Sequence, residues 1–188
     1  SSKPMQKTKL VYVWSLRNAA ADKAGQYVDY HGEQRYMKSP LEYLVQALND
    51  TPLGDHYSLE GIICDDNPES ARDRENIKDY GFAPGQGQHW FYPADLKVQG
   101  RPVNEMLENV PSTYRALALD DSQRPARKSD FERRLGERLK ALQTEVVVLD
   151  GLLVILDELV RPGADFHRRI VNIHPGITRL ESPYERRG

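Results

Sequence analysis

The chain has 188 residues, 39% hydrophobic and 29% charged, with a formal net charge of −2 and a pI of about 6.2. That length and composition fit one folded domain with a real core and exclude a disordered chain. The balanced charge carries no basic footprint for nucleic acid. The single cysteine, Cys64, excludes an intrachain disulfide framework and points to a cytoplasmic, reducing setting.

Residues 1–8 read as a polar leader, with Ser1-Ser2-Lys3-Pro4 before Met5 as a cloning remnant, and 9–188 as one domain. Lys9–Trp14 is short, apolar and rich in β-branched and aromatic residues, which predicts a buried first strand. Ser15–Lys38 follows as a long polar connection. Ser39-Pro40-Leu41-Glu42 combines a serine cap, a proline in the first turn and a glutamate three after the cap, so a helix is predicted there. Leu41, Leu44, Val45 and Leu48 form its apolar face.

Leu59–Cys64 predicts a second strand, and Asp65-Asp66-Asn67-Pro68 a turn that starts a helix running to Gly81. Gln88–Tyr92 reads as a short third strand. Val103, Met106, Leu107 and Val110 recur at helical spacing within Pro102–Val110. Ser129-Asp130-Phe131-Glu132 is a second capping box, ahead of a charged helix with Phe131, Leu135, Leu139 and Leu142 as its apolar stripe. Glu145–Leu149 and Arg169–Ile173 supply the last two strands. The apolar run Val146–Val160 is broken by Asp150, Asp157 and Glu158 and is shorter than the roughly 20 residues of a spanning helix, so no membrane segment is expected.

Strands alternating with amphipathic helices imply an α/β fold with a mostly parallel sheet flanked by helices. Ligands of such sheets collect at the carboxyl ends of the strands, where Asp150, Gly151, Asn172 and His174 all fall. Asn172 and His174 stand two apart on a strand, so they share a face. The residues by themselves leave two readings of Asn172-Ile173-His174-Pro175 open. The pair could cap neighbouring loops, or it could stabilise charge on a carbonyl oxygen, with the imidazole also moving protons. His31, His56, His89 and His167 have no cysteine or carboxylate at metal-site spacing, so no metal is expected. No nucleophile elbow occurs, so covalent acyl-enzyme chemistry has no support.

NIHPGITR, preceded by VVVLDGLLVIL, resembles the signature of the 10-formyltetrahydrofolate-dependent formyltransferases. The resemblance implies a Rossmann-like domain over nearly the whole chain, 10-formyltetrahydrofolate as formyl donor, and Asn172 and His174 as the residues acting on the formyl group. It also implies a folate pocket along Leu149, Leu153, Val154, Ile155 and Leu156, and an acceptor side at Arg17, Asn18 and Gly176. KLVYVWSLRNAAADKAGQYVDYHGEQRYMKSP and HPGITRLESPYERRG are most similar to the members of the family that serve pyoverdine siderophore synthesis. These imply the side-chain hydroxylamine nitrogen of hydroxyornithine as the acceptor and a formyl-hydroxamate as the product.

Ser15–Ala21 stands where glycinamide ribonucleotide formyltransferases place a glycine-rich loop that cradles the substrate phosphate, and it contains no glycine. That agrees with an unphosphorylated acceptor. The family's third catalytic residue, an aspartate paired with the histidine, lies several tens of residues beyond the motif. The sequence runs to Gly188, so the resemblance implies a chain truncated before that aspartate. The alternatives are a formyltransferase for another amine, such as an amino-sugar nucleotide or aminoacyl-tRNA, and a non-catalytic folate- or nucleotide-binding module.

Overall fold

The computed structural model describes residues 6–78, 93, 95–151, 163 and 169–173. Strand β1 (Thr8–Trp14) occupies the middle of a five-stranded sheet because its side chains are apolar on both faces. Leu10, Tyr12 and Trp14 enter one core while Val11 and Val13 enter the other. It pairs in parallel with β4 (Tyr57–Cys64) on one side and with β8 (Val146–Asp150) on the other. Strand β7 (Leu107–Asn109) extends the sheet beyond β4, and β9 (Ile170–Ile173) extends it beyond β8. The order is therefore β7-β4-β1-β8-β9, and every pair is parallel.

Helix α2 (Pro40–Asp50) covers one face with Leu41, Val45 and Leu48. Full burial of each such side chain contributes about 1.5–3 kcal/mol. Its start is as the sequence predicts: Ser39 Oγ accepts the Glu42 N–H at 3.1 Å. Glu42 is buried, and its carboxylate accepts the Tyr36 hydroxyl at 2.8 Å. Helix α5 (Arg124–Ala141) covers the opposite face with Phe131, Leu135 and Leu139. Its other side carries exposed ion pairs such as Arg133–Glu137 at 2.8 Å, which solvent screens.

Four segments differ from their sequence-based expectation. Ser15–Lys38 is not a plain connection: it holds helix α1 (Leu16–Ala21) and a hairpin of β2 (Tyr27–Tyr30) with β3 (Glu33–Tyr36). His31 and Gly32 turn that hairpin at φ 52° and 81°, the backbone a tight two-residue turn requires. The helix expected from Asp65 to Gly81 is α4 (Ala71–Asn76), which starts at Ser70, where Ser70 Oγ caps the Asp73 N–H at 3.2 Å. Pro102–Val110 is not helical. A two-strand hairpin, β5 (Lys97–Val98) with β6 (Arg101–Pro102), leads into a single 3-10 turn at Val103–Glu105 and then β7. Hydrogen bonding to the open side of β4 outweighs the helical spacing of its apolar residues.

The fourth is α5, which begins at Arg124 with a proline in its first turn, so Ser129 lies inside the helix rather than capping it. A short helix, α3 (Leu53–His56), leads directly into β4. The strand predicted at Gln88–Tyr92 lies outside the described residues.

Candidate active site

In a parallel sheet of this order the chain leaves β1 toward one edge and later returns to the other, and sheets of this kind have their ligand crevice at that switch point, here the carboxyl ends of β1 and β8. Trp14 and Asp150 are register partners across that crevice, and Asp150 is in turn the partner of Ile173 on β9. Asn172 is exposed and in register with Leu149, so strand alternation puts both on the α5 side of the sheet. Leu149 itself is buried beside Phe131, Leu135 and Leu139.

The turn leaving β8 is tied to both neighbours. Gly151 donates its N–H to the Ile173 carbonyl at 3.3 Å, and Asn18 Nδ2 donates to the Gly151 carbonyl at 3.2 Å. Gly151 has φ +66°, and a Cβ there would lie 2.8 Å from Asn18 Nδ2. Asn18 thus joins α1 to the end of β8 at the crevice. Tyr12, fully buried on β1, donates its hydroxyl to Asp150 Oδ2. Burial, then the neighbouring carboxylate, raises the Tyr12 phenol well above its ordinary value. Burial also raises Asp150 and Asp22 adds to this, while the Tyr12 hydrogen bond acts the other way.

A second constellation lies where β1 and β4 end. Asp66 is fully buried; its Oδ2 accepts the Leu16 N–H at 2.7 Å, and its Oδ1 accepts the Arg17 N–H at 3.2 Å and Arg17 Nη1 at 2.7 Å. Arg17 also reaches Asp65 and Asp73, each at 3.4 Å. Arg115 binds Asp73 at 2.8 Å, and Ser112 Oγ donates to Asp65 Oδ2 at 2.8 Å. Burial and the adjacent Asp65 carboxylate push Asp66 up to about 6, against the opposing pull of Arg17 and the two N–H groups. Burial also acts to raise Asp73, but Arg115, the Asn67 N–H and Arg17 outweigh it and hold the group below its usual range. For Arg17 the three carboxylates outweigh the effect of burial and raise it further.

This network decides what α1 can do. Ser15 makes no side-chain cap, and Asp66 takes the cap's place from 50 positions away. The first N–H groups of α1, where an anion would sit, are therefore held by the chain's own carboxylate.

Of the residues singled out from sequence, the structure brings Asn18 to the turn that follows β8 and places Asn172 on β9. It directs Arg17 into the carboxylate network and Leu149 into the α5 core. His174, Leu153, Val154, Ile155, Leu156 and Gly176 lie outside the described residues. Asp66, Asp73 and Tyr12 carry no signal of this network in the sequence, because their partners are distant in the chain, and Asp150 is marked there only by its place at a strand end. Among the described residues no group of three or more His, Cys, Asp or Glu could hold a metal ion. Nor is any described helix long and apolar enough to cross a membrane.

No protein-family model matches the chain, and a search of curated proteins returns no match. Among solved structures the chain is similar to PvdF of pyoverdin biosynthesis, a structurally unique N10-formyltetrahydrofolate-dependent formyltransferase. The two are 67% identical, the match covers 97% of this chain and 68% of that one, and the TM-score is 0.84. Likeness at that level, over a parallel sheet with its crevice at the carboxyl ends of β1 and β8, shows that the chain belongs to the N10-formyltetrahydrofolate-dependent formyltransferases, enzymes of one-carbon transfer.

Proposed function

We propose that the protein transfers the formyl group of 10-formyltetrahydrofolate to the side-chain hydroxylamine nitrogen of hydroxyornithine, in synthesis of the siderophore pyoverdine. The likeness to PvdF along the chain is the observation that carries this reading. The capping of α1 by Asp66 supports an acceptor without a phosphate, since the N–H groups that would hold one are already engaged. The single cysteine, buried and unpaired, supports a cytoplasmic location.

When bound, the donor would supply the formyl carbon in activated form, beside the turn that leaves β8. The main chain at Asp150–Gly151 is fixed by Asn18 and Ile173. Leu153, Val154, Ile155 and Leu156 follow in sequence and would supply the apolar wall, with Leu149 anchoring the strand they leave. As the acceptor nitrogen forms its bond to the formyl carbon, negative charge grows on the formyl oxygen. Asn172 and His174 donate to that oxygen, each such donor contributing about 3 kcal/mol. His174 also carries the proton that reaches the departing folate nitrogen. Asn18, the main chain after Arg17, and Gly176 border the acceptor.

The test is formyl transfer to hydroxyornithine by the full-length protein and by His174→Ala. The variant is expected to lose about a hundredfold or more in kcat. Wild-type turnover by His174→Ala would falsify the assignment.

A further inference from the structure

Four carboxylates gather where β1, β4 and β8 end, and three of them are satisfied by the chain's own arginines. Asp65 and Asp66 pair with Arg17, and Asp73 pairs with Arg115 and Arg17. Asp150 differs. Among the described residues its hydrogen-bond partner is the neutral Tyr12 hydroxyl, and no cation lies within ion-pairing distance. The charge that acts on it from nearby is another carboxylate, Asp22. Among the described residues this half-buried carboxylate thus has no cationic partner, and such groups are ordinarily paired.

Its place makes the shortage informative. Asp150 is the last residue of β8, in register with Trp14 across the crevice and with Ile173 on the other side. The Tyr12 ring, whose hydroxyl meets it, packs edge-on against Trp14 in the core, 5.8 Å apart at 72°. Tyr12 is fully buried, so its hydroxyl fixes one oxygen of Asp150 and sets the direction of the other. A carboxylate fixed in this way, at the end of the sheet where ligands bind, suits a compact cation.

Resting on the amino-acid acceptor proposed above, the geometry points to Asp150 as the residue that receives the acceptor's α-ammonium group, with Tyr12 as the positioning residue behind it. The pair selects acceptors that are amino acids and leaves the formyl chemistry to other residues.

The test uses the full-length protein at saturating 10-formyltetrahydrofolate, with hydroxyornithine and its analogue lacking the α-amine, 5-(hydroxyamino)pentanoic acid, as acceptors. Wild type should prefer the amino acid by about 10–100-fold in kcat/KM, the range of a lost charge-assisted hydrogen bond. Asp150→Asn should abolish that preference through KM for hydroxyornithine, leaving KM for the donor unchanged. Asp150→Glu should restore part of it, and Tyr12→Phe should weaken it. Equal use of both acceptors by wild type overturns the inference whether or not Asp150→Asn folds, and so does an undiminished preference in a folded Asp150→Asn. A change confined to KM for the donor also overturns it, assigning the carboxylate to the pterin. Failure of wild type to formylate hydroxyornithine would instead overturn the acceptor assignment. Titration of L-ornithine would then decide separately, since equal affinity in wild type and Asp150→Asn removes the ammonium site.

Discussion

Asp66 Oδ2 accepts the main-chain N–H of Leu16 at 2.7 Å, so a side chain at the end of one strand caps the helix that follows another. The same carboxylate neutralises Arg17, and Arg17 in turn holds Asp65 and Asp73. In phosphate-binding relatives of this architecture the first turn after β1 presents free N–H groups to a ligand. Here those groups are turned to the protein's own use, and α1 becomes a rigid platform that delivers Asn18 to Gly151.

Removing the carboxylate should therefore unsettle both helix and network. Asp66→Ala leaves a buried N–H without an acceptor and Arg17 with an unbalanced charge, a loss of about 3–5 kcal/mol. Asp66→Asn keeps one acceptor oxygen and should cost clearly less. Urea denaturation of the two variants against wild type measures the difference, and equal losses would refute the capping role.

The acids of this network should act oppositely on stability as pH changes. Asp66 is raised to about 6 from 3.8, so between those values the folded state holds a proton that the unfolded state has released. Its contribution therefore falls as pH rises through that window. Asp73 is lowered from 3.8, so its contribution is present above that pH and is lost as pH falls below it. Denaturation midpoints between about pH 3 and pH 7 should show Asp66→Asn gaining on wild type from about pH 4 to pH 6. Both proteins should lose stability in stronger acid. Parallel curves through the middle window would contradict the assignment for Asp66.

Gly151→Ala should damage the crevice locally. A side chain at φ +66° is strained, and its Cβ would lie 2.8 Å from Asn18 Nδ2. The backbone term alone costs about 1–2 kcal/mol. Adding Asn18→Ala should relieve the contact but not the backbone strain. A double-mutant cycle in thermal unfolding therefore should show a smaller Gly151→Ala penalty in the Asn18→Ala background.

Asn172 is exposed on β9, the last strand of the sheet among the described residues, and contributes little to the core. Asn172→Ala in the full-length protein should leave the unfolding midpoint within about 0.5 kcal/mol of wild type. It should lower kcat for formyl transfer by about a hundredfold. A variant that is destabilised but catalytically intact would reverse that assignment.

Strands β1, β4 and β8 were legible because their apolar runs must be buried, β9 from its β-branched residues although Val171 is exposed, and helix α2 because its cap, proline and glutamate lie within a few residues of one another. These are local signals, and the parallel α/β class follows from their alternation. In the NIHPG stretch strand alternation makes Asn172 and His174 an expected pair from sequence alone, and of the two only Asn172 falls among the described residues. The tertiary structure alone decided that Leu107–Asn109 is a strand, because its hydrogen-bond partners belong to β4. It alone made Asp66 a cap 50 positions from its helix and set Tyr12 against Asp150, 138 positions apart. Local propensity and periodicity report on residues a turn or a pleat away, whereas the charges of this site are balanced by groups that meet only when the strands come together.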